Sequence, residues 1–178
     1  MGAINRDAIK IYIAPVDTNA TDLQETNLYK GTISSYSQSG GERAKEAVPL
    51  FGGYIDEEAP RDTVTLEFEI VPDISKVNEW HSLAYNVDSG NAGVYTMSGV
   101  PQDKAVFIEA KRGANYSTVA YNNVTVQVME MEHDSTGNRT YNLNLSFIPQ
   151  TSDGVSNIMI KDTALTTLPS WTALDGND

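Results

Sequence analysis

The chain has 178 residues, 40% of them apolar, no cysteine, and 24 acidic against 12 basic residues for a net charge of −12. That length can bury a core as one domain; the missing cysteines exclude disulfides, thiolate metal sites and a cysteine nucleophile, and the acidity argues against tight nucleic-acid binding, which needs Lys and Arg to neutralise phosphates. No stretch approaches the roughly 20 apolar residues of a membrane span, and residues 1–16 lack a basic region followed by a long apolar run, so the expectation is a soluble chain with no export address and no membrane partner.

Residues 1–8 form an expected N-terminal arm. The first strand covers residues 9–16, where Ile9, Ile11 and Ile13 alternate with Lys10 and Tyr12, and Pro15 marks a strand end or sheet edge. The polar run 17–27 is a loop. Tyr29, Ile33 and Tyr36, in a Ser/Thr-rich frame over 28–38, give a second strand blurred by Gly31. Residues 39–61 then hold two Gly pairs, two prolines and no sustained period. An irregular segment of that length inside a compact domain reads as a binding loop. Val48, Leu50, Phe51, Tyr54 and Ile55 crowd it with side chains that reward burial, so it should pack on its own domain or on another chain.

The clearest strand follows. Val64, Leu66, Phe68 and Ile70 alternate with Thr63, Thr65, Glu67 and Glu69, the period of a strand with one buried face. Pro72 cannot donate to a ladder and biases Val71 away from helical angles, so the strand should stop there. Asp73 can cap a helix over 74–87, with Ile74, Val77, Trp80, Leu83, Ala84 and Val87 at helical spacing and Asn86, Asp88 and Gly90 as the stop. One helix among many strands must lay its apolar stripe on a sheet.

Residues 88–99 are a turn region with an apolar centre at Val94 to Met97. Ala105 to Arg112 is a strand, apolar on both sides at first and charged later, and a turn at 113–117 leads into a long strand from Val119 to Glu132. There Val124, Val126 and Val128 share one face; Met129 and Met131 then continue the apolar set while Glu130 and Glu132 become polar, the one-residue slip of a β-bulge. Gly137 and Asn138 suit a hairpin connection. In the return strand over 139–149, Tyr141, Leu143, Leu145 and Phe147 alternate with Asn142, Asn144 and Ser146. A short last strand at 155–160 precedes a tail over 163–178, whose Leu165, Leu168, Trp171 and Leu174 argue for docking.

Enzyme constellations are poor. No phosphate-cradling, nucleophile-elbow or zinc-protease motif occurs, no cofactor is implied, and neither His81 nor His133 has acidic neighbours at metal-ligand spacing, so both read as solvated surface residues. Asp56, Glu57 and Glu58 are contiguous, unlike the alternating ligands of a calcium loop. What the acids do form is a pattern. Glu67, Glu69, Glu109, Glu130 and Glu132 all take outward positions on expected strands, so one sheet face is expected to be anionic.

Residues 52–70, GGYIDEEAPRDTVTLEFEI, the helix expected over 74–85 and the hairpin from Val124 to Phe147 together resemble the major tail tube proteins of long-tailed, non-contractile bacteriophages, over nearly the whole chain. That family shares its architecture with the tube protein of type VI secretion. The resemblance implies a mainly β, single-domain fold of two packed antiparallel sheets with one flanking helix, a long inter-strand loop and extended termini. It implies no catalysis: hexameric rings stack into a hollow tube, assembled in the host cytoplasm and resident in the virion tail, through which DNA passes during ejection without specific binding. The partners implied are further copies of the chain and tape measure, tail terminator and distal tail proteins. Glu67, Glu69, Glu109, Glu130 and Glu132 become candidates to line the lumen, and Val48, Leu50, Phe51, Tyr54, Ile55, Leu165, Leu168 and Trp171 candidates for contact between subunits. Two alternatives remain open: a β-sandwich module binding carbohydrate through Trp80, Trp171 and several of nine tyrosines, and a type VI secretion-like tube component.

Overall fold

The computed structural model describes residues 9–29, 31–41, 45–50, 53–58, 63–73, 80–97, 103–133, 135, 137, 139–149 and 156–174. The expected arm at 1–8, the start of the expected helix at 74–79 and the tail residues 175–178 lie outside them. Strands dominate: β1 (Ile9–Pro15), β2 (Leu28–Tyr29), β3 (Gly31–Gly40), β4 (Lys45–Leu50), β5 (Gly53–Glu58), β6 (Val64–Pro72), β7 (Tyr85–Val87), β8 (Tyr95–Met97), β9 (Asp103–Arg112), β10 (Asn115–His133), β11 (Arg139–Phe147) and β12 (Ile158–Lys161). Eight of them form one sheet in the order β2-β1-β9-β10-β11-β6-β3, with β12 added to β10, while β4 with β5 and β7 with β8 form separate ribbons. All pairs are antiparallel.

Instead of two packed sheets, the chain folds one sheet over on itself, and β10 is the reason. Its 19 residues would extend about 60 Å, so its first half pairs with β9 and β12 and its second with β11. Two register breaks bend it. One lies between Tyr121 and Val124, where Asn123 takes a φ of 55°; the other, the slip expected from the Met/Glu pattern, lies between Val126 and Val128. Such bulges turn and twist a strand. The turn brings β3 back over β10: the Tyr121 hydroxyl donates to Gln38 Oε1 at 2.8 Å and bonds the Tyr36 hydroxyl. In a flat sheet three strand spacings, about 14 Å, would keep β3 from β10.

The fold encloses a core in which Val64, Leu66, Phe68 and Ile70 of β6 and Tyr141, Leu143, Leu145 and Phe147 of β11 share one cluster with Ile11, Ile13, Val106, Ile108, Tyr121 and Val124. Both alternations read from the sequence are realised residue for residue. Each such side chain contributes about 1.5–3 kcal/mol by leaving water. β9 is apolar on both sides because both are covered. Val106 and Ile108 face this core, whereas Ala105 and Phe107 join Ala20, Ala120, Met159, Leu165, Leu168 and Trp171 in a second cluster on the outer face.

Two further expectations are corrected. Among the described residues only Trp80 and His81 are α-helical, and the helix expected over 74–87 ends there: Tyr85–Val87 is β7, paired with β8. Part of the helical spacing was a true burial signal, since Trp80 and Leu83 are core residues, but Val87 is 57% exposed. Asp88 Oδ1 accepts the Gly90 backbone N–H at 3.0 Å and Asn91 Nδ2 at 2.9 Å, and such an Asx turn opens a hairpin as readily as it stops a helix. The segment 39–61 is not irregular either. Ser39 and Gly40 finish β3, and β4 pairs with β5 from Lys45 opposite Glu58 to Leu50 opposite Gly53. β6 does end at Pro72, opposite Gly31, where the strand was expected to stop.

Candidate functional site

Folding the sheet over leaves its β3-β6-β11-β10 half with one face in the core and the other open. Register places the open-face residues in rows. Glu69 stands opposite Ser35 and Asn142, and Glu130 stands opposite the same Asn142; Glu67 stands opposite Ser37 and Asn144; Glu132 stands opposite Thr140. Thr65 and Thr125 flank Ser146 in the next row, and Thr125 Oγ1 donates to Asp103 Oδ1 at 2.6 Å. Glu67, Glu69, Glu130 and Glu132 are all exposed, and none of these rows carries a Lys or Arg.

The neutral Asn142 and Asn144 of β11 separate the acids of β6 from those of β10. Like charges directly opposite destabilise a ladder, but two strand spacings set them about 10 Å apart, near the screening length of physiological salt. A shallow cavity of about 470 Å³ lies on this face, lined by Ser35, Ser37, Glu67, Glu69, Glu130 and Asn142 among others. No group of three or more metal-ligating side chains occurs among the described residues.

Glu109 stands apart from the other four. It lies on the outer face of β9, where its Oε2 accepts the Leu165 backbone N–H at 2.8 Å, so it clamps the tail instead of joining the acidic face. The tail is docked through Leu165, Leu168 and Trp171, each 5% exposed. Trp171 Nε1 donates to the Thr18 carbonyl at 2.9 Å and its backbone N–H to Asn19 Oδ1 at 3.1 Å. These three residues are core of this chain. With Trp80 at 1% exposure, neither tryptophan offers a stacking platform for a sugar.

Val48 stands opposite Ile55 and Pro49 opposite Tyr54 in the β4–β5 ribbon, with Leu50 at its end; Phe51 lies outside the described residues. Among the described residues the ribbon pairs with no other strand.

The acidic half-sheet has two unpaired flanks. β9 accompanies β10 no further than Thr125, so residues 126–133 have a strand partner only in β11, and β3, ten residues long, has one only in β6, among the described residues.

Two features escaped the sequence reading. The phenols of the partly exposed Tyr36 and the buried Tyr121 meet where β3 passes β10, and burial first of all raises both above the ordinary tyrosine value, so both stay protonated. Asp17 and Asn122 clasp each other: the Asp17 backbone N–H donates to Asn122 Oδ1 at 3.0 Å and Asn122 Nδ2 donates to Asp17 Oδ1 at 2.8 Å. Of the histidines, His133 is exposed, as expected, and its Nε2 accepts from Arg139 Nε at 3.1 Å, whereas His81 is half-buried with its Nε2 2.7 Å from the Tyr141 hydroxyl.

No protein-family model and no curated protein matches the chain. Among solved structures, it is similar to a chain of the sheath-tube complex of an extracellular contractile injection system in the extended state, with a TM-score of 0.46 and 10% identity over 87% of this chain and 88% of that one. It is also similar to a chain of the tube-terminating cap of the anti-feeding prophage, with a TM-score of 0.48 and 9% identity over 92% and 93%. A crystal structure of an Hcp protein gives 0.41 and 9% over 86% and 98%. Likenesses this loose concern the course of the backbone and assign no function.

Proposed function

We propose that this chain is the structural subunit of a hollow tube, the major tail tube protein of a long non-contractile-tailed bacteriophage, built from stacked hexameric rings whose acidic lumen conducts DNA. One observation carries the reading: a half-sheet that is core on one side and on the other mostly acid, amide and hydroxyl, with no Lys or Arg in the rows of Glu67, Glu69, Glu130 and Glu132, ends in two unpaired flanks. An open flank is a template for pairing, and head-to-tail pairing of β10 with β3 of the next copy closes a ring and removes both.

Six copies of four strands make about 24, which at about 4.8 Å spacing and 40° tilt encloses a bore of about 40 Å once side chains are allowed for. Glu67, Glu69, Glu130 and Glu132 of every copy then face inward, and phosphates passing through meet no cation to bind. Contact between rings falls to the β4–β5 ribbon with Val48, Leu50, Phe51, Tyr54 and Ile55, since a two-stranded ribbon alone is marginally stable and gains from a surface to lie on. Tape measure, terminator and distal tail proteins would bound the tube, assembled in the host cytoplasm.

Electron microscopy of the purified protein, concentrated or seeded, tests this. Rings or tubes of uniform diameter are expected, and Phe51→Asp should leave a monomer with unchanged melting and no tubes. Monomers that resist every nucleation condition overturn the reading.

A further inference from the structure

The chain has two histidines; one bonds Arg139 directly and the other is joined to it through Tyr141. Arg139 Nε donates to His133 Nε2 at 3.1 Å, and Arg139 Nη1 donates to the Tyr141 hydroxyl at 3.3 Å. That hydroxyl lies 2.7 Å from His81 Nε2. The direction of that bond depends on the His81 tautomer, since the hydroxyl can accept from Arg139 and still either donate to or accept from the ring; Nδ1 is itself buried with no partner.

The His81 ring packs on Tyr85 of β7, Tyr95 of β8 and Tyr141 of β11, with centroids 6.2, 4.9 and 5.4 Å away. The β7–β8 ribbon pairs with no other strand among the described residues. This aromatic cluster therefore fastens it to the sheet.

We propose that His81, Tyr141, Arg139 and His133 form an acid-sensitive latch: with neutral imidazoles the β7–β8 ribbon is held on the β10–β11 end of the sheet, and protonation releases it. A proton on His133 Nε2 removes the lone pair that Arg139 uses. A proton on His81 adds a cation to a site that Arg139 already charges, and leaves Tyr141 between two donors. The surrounding tyrosine rings favour a cation, but burial, the larger effect, and the Arg139 charge hold His81 below the ordinary histidine value. Among the described residues, Glu132 neighbours His133 on β10, one position away and so on the opposite face of the strand.

The sign follows from linkage. The folded state binds the His81 proton more weakly than the unfolded one, so the latch contributes fully above about pH 6.5 and is lost as pH falls below it. The latch belongs to the single subunit and does not depend on assembly.

Amide hydrogen exchange on the monomer, with NMR titration of 13C-labelled histidine, tests it. Between pH 7.5 and 5, protection at Asn86 and Thr96, corrected for intrinsic rates, should fall at least about tenfold, the change that one pH unit imposes on a one-proton equilibrium, while Leu66 and Leu145 stay protected. The fall should track the His81 titration and vanish in His81→Gln. Protection that is flat with pH, that falls at a midpoint other than that of His81, or that still falls in His81→Gln overturns the latch. Should His81→Gln lack the ribbon at every pH, the midpoint comparison in the unmodified protein decides alone.

Discussion

Gly40 sits at φ +84°, and a Cβ there would lie 2.3 Å from the Thr63 carbonyl oxygen, whereas Gly137 at +85° has open space around the same position. Gly40→Ala combines backbone strain with a backbone collision and should cost on the order of 2 kcal/mol or more, read as a melting temperature several degrees lower. Gly137→Ala meets the strain alone and should cost about 1 kcal/mol. From the sequence, Gly137 was legible as a turn residue because Asp, Ser, Thr and Asn surround it. Gly40 looked like a loop breaker, because the collision that demands glycine comes from Thr63, across the β3–β6 pair. The Asp17–Asn122 clasp and the Tyr36–Tyr121 contact were invisible for the same reason: they join positions 105 and 85 residues apart, and no local pattern announces a partner at that distance.

At the level of elements, β6 and β11 were readable because one face of each is buried and the other wet, which writes burial into the chain as alternation. The bulge of β10 was readable where that alternation slipped, but its second bulge was not, since Asn122 and Asn123 break no apolar pattern. The helix expected over 74–87 does not reach its expected end: Trp80 and Leu83 keep the burial that the spacing announced, but from Tyr85 onward the ladder goes to β8. The tail reading held in part: its apolar residues are docked, but on this chain's own outer face. Trp171→Ala removes the ring that packs on Phe107 at 6.2 Å between centroids, and should destabilise the protein by about 3 kcal/mol or more. Limited proteolysis should then cut near residues 164–174 while the strand signal in circular dichroism persists. Uncut tails would mean that Glu109 and Lys161, which holds the Thr167 carbonyl at 2.7 Å, suffice to dock it.

For the whole molecule, the net charge of −12 gave a sign but no address. Topology supplies the address, collecting Glu67, Glu69, Glu130 and Glu132 on one open face while sending Glu109 to the tail. Reversing the charge on that face tests what it is for. Tubes of Glu67→Lys/Glu69→Lys should assemble with unchanged diameter yet retain DNA, with retention falling steeply as salt rises; filter retention across a salt series measures it, and equal retention by both proteins would remove the face from any role in transit. The strand order itself, with β1 beside β9 and β3 at the far edge, could not be read from local patterns, because it is chosen by long-range pairing. One seam has a temporal meaning. Trp171 grips Thr18 across 153 positions, so the outer core cannot close until residue 171 has left the ribosome. Folding dominated by such high contact order is slow, and during that wait nascent neighbours on one messenger can pair their bare flanks out of turn, a hazard that a holding chaperone would suppress.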